Sequence, residues 1–446
     1  MESQIKTYTY SDGCIQRVQA VRLEDWAELD FLTFSGSDRT LERFSGIYRD
    51  FLVPAAPWLF GNLVMFRLPR DMDGNFPFDT KHYGTVAHPL TAAAAALKAG
   101  VGIVKGKPVF RDDRVGSFWK ELERQDRVRI VRGKLPITTV IPLGEMPGYL
   151  TETEPEAGLK VNASFFIMDP FDCATVYDHV GTPFGLSVKD GTVTRPPLYG
   201  REALLVRNDG SVEIRPMDVS MLEIRIGGEH FLAEKNCRIY TRPRHFRSPA
   251  GRKLTLVIQG DRVEAVGRGS LPVPASGFVL QTEKPCQVSP GDRVCYGGLE
   301  DVRFGIQVGN SILKNGVPTG KFLSSFYNIR KCQPVPYPPS LYPMDFARDR
   351  AARVALGADR EGRPMLLWAE GAAKLGYVKG KGSCGASLAE MGRLCADMGM
   401  VNGVNLDGGG SAQLLLHNRR SLEISDRSRE DHREAERPVP LGLIVR

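Results

Sequence analysis

The stretch Val401–Gln413, V-N-G-V-N-L-D-G-G-G-S-A-Q, constrains the fold more than any other. Val404 and Leu406 alternate with Asn405 and Asp407, the period-two pattern of a short strand that carries a carboxylate to its own end. Gly408, Gly409 and Gly410 follow, then Ser411. Such a run lets backbone N–H groups turn inward as an anion-receiving nest. It serves equally as a tight turn capped by Asp407, and residue types alone do not separate the two. Just upstream, Ser387-Leu-Ala-Glu390 is a capping-box pattern that predicts a helix to about Met398, closed by Gly399. Helix, strand and glycine loop therefore follow one another directly.

A chain of 446 residues predicts two or three domains. Its 42% hydrophobic and 25% charged residues are those of a soluble globular protein. The net charge of +7 favours acidic or phosphorylated ligands only weakly. No Lys/Arg block with interleaved aromatics points to a nucleic acid polymer, and no apolar run is long enough for a membrane. Eight scattered cysteines, without C-x-x-C or zinc spacing, read as free thiols in a reducing compartment. Met1–Cys14 is polar, so a cytoplasmic location is expected, or secretion if a leader was removed. Oligomeric state is not encoded legibly.

Residues 1–150 read as a separate N-terminal region of uncertain fold and unassigned function. Helical patterns fall at Arg39–Leu52, Pro89–Gly100 and Phe118–Asp126, and strand patterns at Leu59–Leu68 and Val101–Val104. From about residue 155 the texture becomes strands and turns. Lys160–Phe166 reads as a short strand interrupted by Asn162. Phe184–Val193 and Ala203–Ile214 each carry an Asp-Gly hairpin signal. Strands are predicted at Leu222–Ile226, Lys253–Ile258, Arg262–Val266, Gly277–Leu280 and Phe304–Val308. Cys332–Pro343 reads as a proline-rich loop. Arg353–Asp359 and Met365–Glu370 pair plausibly across a turn. The charged run Asn418–Pro440 reads as a solvated loop or short helix before a closing strand, Leu441–Val445. The fold class expected is α+β (mixed α/β), with curved, mostly antiparallel sheets and a few helices.

Residues 151–446 resemble the phosphodiester glycosidase family. Asn405–Ser411 (N-L-D-G-G-G-S) carries the resemblance most strongly, preceded by the helix with Leu388-Ala-Glu390. Weaker matches keep the family order: Val161–Phe166, Gln307–Gly316, Arg353–Gly357 with Glu370-Gly371, and Pro438–Val445. Ala163 and Ser164 stand where the family has two glycines, Glu370 replaces an Asp, and Ala412-Gln413 replaces small hydroxyl residues.

The resemblance implies a hydrolase that cleaves the C1–O bond of a sugar 1-phosphodiester and releases a phosphomonoester. Its partner would be a small phosphorylated sugar, including nucleotide-sugar-like compounds. Such chemistry needs a carboxylate near the anomeric carbon and stabilisation of the leaving phosphate. Asp407 is the first choice for nucleophile or general base, with Glu370 and Glu390 as second carboxylates. Glu390 is equally well read as the capping glutamate of its own helix. Arg353 would clamp phosphate through its planar fork. Asn162, Asn405, the backbone of Gly408, Gly409 and Gly410, and Ser411 would contact sugar or phosphate oxygens. Asp407 with Asn405 or Asn162 could present oxygens to a hard cation such as Ca²⁺ or Mg²⁺. No ligand series at diagnostic spacing accompanies them, so no metal or cofactor is assigned. Cleavage of P–O instead, or sugar-phosphate binding without turnover, are the alternatives.

Overall fold

The computed structural model describes residues 1–34, 148–166, 183, 185–198, 200–241, 245, 248–271, 273–274, 277–320, 347–373, 375–428 and 431–446. It also describes the backbone of the strands Val101–Val104, Lys107–Phe110, Val128–Arg132 and Thr138–Pro142. The patterns at 39–52, 59–68, 89–100, 118–126 and 332–343 lie outside the described residues.

The architecture is dominated by antiparallel sheets. Among the described residues there is one α-helix, Leu388–Asp397, fewer than the few expected. A seven-stranded sheet runs in the order Glu2–Thr9, Ile15–Arg22, Pro364–Ala369, Arg353–Asp359, Met400–Asn405, Ser311–Lys314, Val317–Pro318. Its period-two pattern buries both faces. Val354, Leu356, Leu366, Trp368 and Val404 enter the central core on one face. Ala355, Met365, Leu367 and Ala369 meet the helix residues Leu388, Met391, Leu394 and Cys395 on the other. As the capping-box pattern predicts, Ser387 accepts from the Glu390 amide and Glu390 accepts from the Ser387 amide.

The central core is shared by two further sheets. One is four-stranded, in the order Leu414–Leu416, Leu159–Asn162, Leu441–Val445, Asp30–Thr33. The other is five-stranded, in the order Thr192–Arg195, Ser187–Lys189, Val302–Gln307, Arg201–Arg207, Val212–Met217. Its first hairpin turns at Asp190 and Gly191, whose φ of 48° and 72° suit the two-residue loop that the Asp-Gly signal predicts. Residues 222–296 build smaller sheets around a second core, which they share with Val188, Val193, Ala203 and Leu205 of the five-stranded sheet.

Two expectations need correction. The strands Glu2–Thr9, Ile15–Arg22 and Asp30–Thr33 belong to the same sheets as residues 353–445, so a boundary at 150/151 does not follow the sheets. Only pairing across more than 300 residues of sequence places them there, and local pattern carries no trace of that. The strand expected over Lys160–Phe166 ends at Asn162, where the side chain takes a different job. No described helix is long and apolar enough to cross a membrane.

Candidate active site

Asp407 is held by its backbone on both sides. Its amide donates to the Ala163 carbonyl at 3.1 Å, and its carbonyl accepts from Asn162 Nδ2 at 2.7 Å. Asn162 Oδ1 in turn accepts from the Gln413 amide at 3.0 Å. One buried amide side chain thus ties together both ends of the glycine loop, a positioning role rather than the ligand contact expected from the sequence.

The glycine loop itself closes as a single 3₁₀ turn over Gly409–Ser411, entered through Gly409 at φ +60°. The amide of Gly408 donates to Asp407 Oδ1 at 2.9 Å, that of Gly409 to the Ala352 carbonyl at 2.8 Å, and that of Ser411 to the Gly408 carbonyl at 3.2 Å. These donors serve the loop and its carboxylate, so the nest expected over Gly408–Ser411 is not an array aimed at an anion. Gly410 is required for a different reason. A Cβ there would collide with Arg437 and with the Asp426 carboxylate.

That ion pair is what the sequence concealed. Arg437 is 2% exposed and grips Asp426 Oδ2 through Nε at 3.0 Å and a terminal nitrogen at 2.7 Å. Its other terminal nitrogen donates to Ser411 Oγ at 3.2 Å. Ile424, Asp426, Glu436 and Val439 are also buried. Residues 424–426 and 436–440 are therefore buried beneath the loop, whereas residues 431–434 between them are exposed as expected. The available signal was the apolar Ile424 and Val439 inside an otherwise charged stretch.

Asp407 is 4% exposed. Burial pushes its carboxyl up to about 6 from an ordinary 3.8, against the opposing pull of the Ser411 hydroxyl, Arg437, the Gly408 amide and Arg201. Oδ1 has the Gly408 amide, whereas Oδ2 has no donor among the described residues. Two residues earlier, Asn405 Oδ1 is also buried without a donor among the described residues. Buried acceptors are normally satisfied, and two in an i, i+2 pair at a strand end form a place for hydroxyl donors.

A cavity of about 520 Å³ adjoins this strand end. Gly200, Arg201, Glu202, Gly309, Asn310 and Lys314 are among its walls. Gly309 donates to the Asn405 carbonyl at 2.7 Å and Asn310 accepts from the Asn405 amide at 2.9 Å, so two of the cavity's wall residues are bonded to the Asn405 backbone. Arg201 stacks over the Phe165 ring at 4.6 Å and is one of the charges acting on Asp407. Gln307 fixes its backbone, donating to the Arg201 and Met217 carbonyls at 3.1 and 2.8 Å while accepting from the Leu186 and Leu198 amides. Lys314 and Glu202 face each other at 3.8 Å.

The remaining residues expected at the site are engaged elsewhere. Glu370 accepts from Arg17 Nε at 2.6 Å, from the Ser383 hydroxyl and from the Glu423 amide at 2.7 Å, so both oxygens are spent clamping three segments together. Glu390 caps its helix and pairs with Arg350 at 2.7 Å. Burial works against its ionisation, but Arg350 and the Ser387 amide outweigh it and hold the carboxyl below its ordinary range. Arg353 donates to the Ala386 carbonyl at 3.0 Å and the Asp349 carbonyl at 2.8 Å. No cluster of three His, Cys, Asp or Glu side chains suited to a metal occurs among the described residues. The guanidiniums acting on Asp407 also disfavour a cation there.

Residues 248–446 match the family model for phosphodiester glycosidases, which bears out the resemblance in the sequence. The chain is similar to mouse N-acetylglucosamine-1-phosphodiester alpha-N-acetylglucosaminidase, at 33% identity over 100 residues. That alignment spans 22% of this chain and 18% of the mouse protein. Among solved structures, a protein from Synechocystis aligns with a TM-score of 0.45 and 15% identity, covering all of this chain and 62% of that one. The catalytic domain of the zebrafish N-acetylglucosamine-1-phosphodiester alpha-N-acetylglucosaminidase aligns at 0.37 and 12%, covering all of this chain and 82% of that one.

Proposed function

We propose that the protein hydrolyses the C1–O bond of a sugar 1-phosphodiester, releasing the sugar and a phosphomonoester. The observation that carries this reading is the buried Asp407 carboxylate. Its Oδ2, without a donor among the described residues, belongs to the residue two positions after Asn405, whose Oδ1 likewise has none, and its carboxyl feels the charge of Arg201, a wall of the adjoining cavity with Lys314. Sugar hydroxyls would satisfy the orphan acceptors, and the cations would take the phosphate. As C1–O breaks, its electron pair leaves with the phosphate oxygen, water supplies the new oxygen at C1, and Asp407 is the carboxylate at the anomeric centre. The phosphate departs as an anion, so fixed positive charge does the work that a general acid does for an alkoxide leaving group. That reading accommodates the loss of Glu370 and Glu390 as second carboxylates.

The test is turnover of a panel of sugar 1-phosphodiesters and nucleotide sugars in ¹⁸O water, read by mass spectrometry, for the wild type and Asp407→Asn. Label in the released sugar, lost in the variant, is the expected result. Label in phosphate would reassign the chain as a phosphodiesterase that breaks P–O. Binding across the panel without turnover would make it a sugar-phosphate binding module.

A further inference from the structure

Residues 222–296 hold twelve Lys and Arg against seven Asp and Glu, so five of the seven net positive charges fall in about one sixth of the chain. Every described Lys and Arg among them is exposed. The topology gathers them further. The four-stranded sheet of this stretch runs in the order Arg238–Tyr240, Phe278–Thr282, Leu254–Gln259, Arg262–Arg268, each strand antiparallel to the next. One end of the sheet is therefore built from the start of the first and third strands and the finish of the second and fourth. There Arg238 pairs with Gln281, and Leu254 pairs with both Thr282 and Arg268. Lys235 with Arg238, Lys284, Arg252 with Lys253, and Arg268 thus come from four places in the sequence to one sheet end. Neighbouring strands lie about 4.8 Å apart, so the band is about 15 Å across.

Three carboxylates reach this end, and each is engaged: Glu234 by Arg238, Glu283 by Lys253 at 3.2 Å and Glu229 by Lys284 at 2.8 Å. Lys235, Arg252 and Arg268 meet no carboxylate among the described residues. Arg268 spends one terminal nitrogen on the Arg252 carbonyl at 3.0 Å, and the Gly269 amide donates to the Lys253 carbonyl at 3.0 Å, which holds that corner together. Exposed ion pairs are weak, so the paired cations can also trade their carboxylates for another anion. Cations spread over four strands suit a chain of anionic groups better than a single ion. Among the described residues of this stretch no aromatic ring is exposed. Phe231, Phe278 and Tyr296 are buried, and Tyr240 is partly covered, edge-on to His245 at 5.2 Å. Nothing there offers bases a stacking platform. We infer that this sheet end docks a linear polyanion without bases, a glycan chain bearing sulfate or phosphate esters. The surface stands apart from Asp407 in the fold, and its binding holds whatever reaction that carboxyl performs.

The full chain is titrated with a heparin oligosaccharide, and separately with single-stranded DNA of equal charge, at salt from about 50 to about 400 mM. Heparin should bind more tightly than DNA, with log K falling linearly against log salt. The triple variant Lys235→Ala, Arg252→Ala, Arg268→Ala should flatten that slope by about 2–3 and weaken heparin binding by about tenfold or more near 0.1 M salt. Arg360→Ala, Lys379→Ala, Lys381→Ala removes the same charge from exposed positions elsewhere and should keep the wild-type slope. In the wild type, heparin should slow acetylation of Lys235, Lys253 and Lys284 but not of Lys379 or Lys381. That map decides the matter even if a variant folds poorly. The inference is overturned by no heparin binding at the lowest salt, by equal losses in the two triple variants, or by protection confined to other lysines. Tighter binding of DNA than of heparin overturns it too, since the partner would then be a nucleic acid.

Discussion

Replacing Asp407 with Asn removes a charge that folding buries at a cost, so the variant should be more stable than the wild type at neutral pH. In the unfolded chain this carboxyl titrates near 3.8 and in the native state near 6. Below 3.8 both states hold the proton and the group contributes nothing. Between 3.8 and 6 the native state binds more proton than the unfolded state, so wild-type stability falls as pH rises. Above 6 the deficit is complete, at about 3 kcal/mol for a shift of this size. Asn keeps an oxygen for the Gly408 amide, which lies 2.9 Å from Asp407 Oδ1. Its new NH₂ takes the place of Oδ2, near Arg437 and Arg201, and that repulsion will trim the gain.

The assay is denaturant unfolding of both proteins at pH 4, 5, 6 and 8, comparing the difference between them at each pH. Titration of every other group largely cancels in that difference. It should be about a fifth of its final size at pH 4, about half at pH 5, and level above pH 7, with the Asn variant ahead by about 2–3 kcal/mol. A difference that does not change with pH, or an Asn variant that loses ground as pH rises, would refute the claim that burial dominates this site.

Gly410→Ala should destabilise the protein by about 1–3 kcal/mol, because the added methyl must push aside the buried Arg437–Asp426 pair. Thermal melting checks it, and an unchanged Tm would show that the loop has room to shift. Glu390→Ala should cost about 1–2 kcal/mol through the lost cap and the lost Arg350 pair while leaving kcat within a few-fold of wild type. A kcat drop of a hundredfold or more in a protein of unchanged Tm would instead return Glu390 to the chemistry.

What the sequence made legible was local. The Asp190-Gly191 turn, the hairpin Arg353–Ala369, the Ser387 cap and the strand leading towards Asp407, which ends at Asn405, each rest on chemistry close in sequence, and each stands in the structure. The misreadings share a different cause. Arg437 and Asp426 sit 11 residues apart in a stretch where charge normally signals solvent, and only their mutual burial reveals them. Arg201 gains its meaning from Phe165, Gln307 and Asp407, none of them near it in sequence. Glu370 occupies the position the resemblance marks as acidic, yet Arg17, from a strand more than 350 residues away, turns it into a structural clamp.

The two arginines also explain how an unfavourable carboxylate survives in the core. Buried alone, Asp407 would be driven towards its neutral form, and a neutral acid is neither a base nor a nucleophile. Arg437 and Arg201 pull against burial. A carboxyl near 6 leaves most molecules ionised at pH 7. Arg437 is itself neutralised by Asp426 at 2.7 Å, so it steadies the carboxylate without claiming it as an ion-pair partner, and Oδ2 stays open. A direct salt bridge would have brought the carboxyl lower still and filled that oxygen. The surroundings of Asp407 instead keep its carboxylate largely charged while buried, with Oδ2 left without a donor among the described residues.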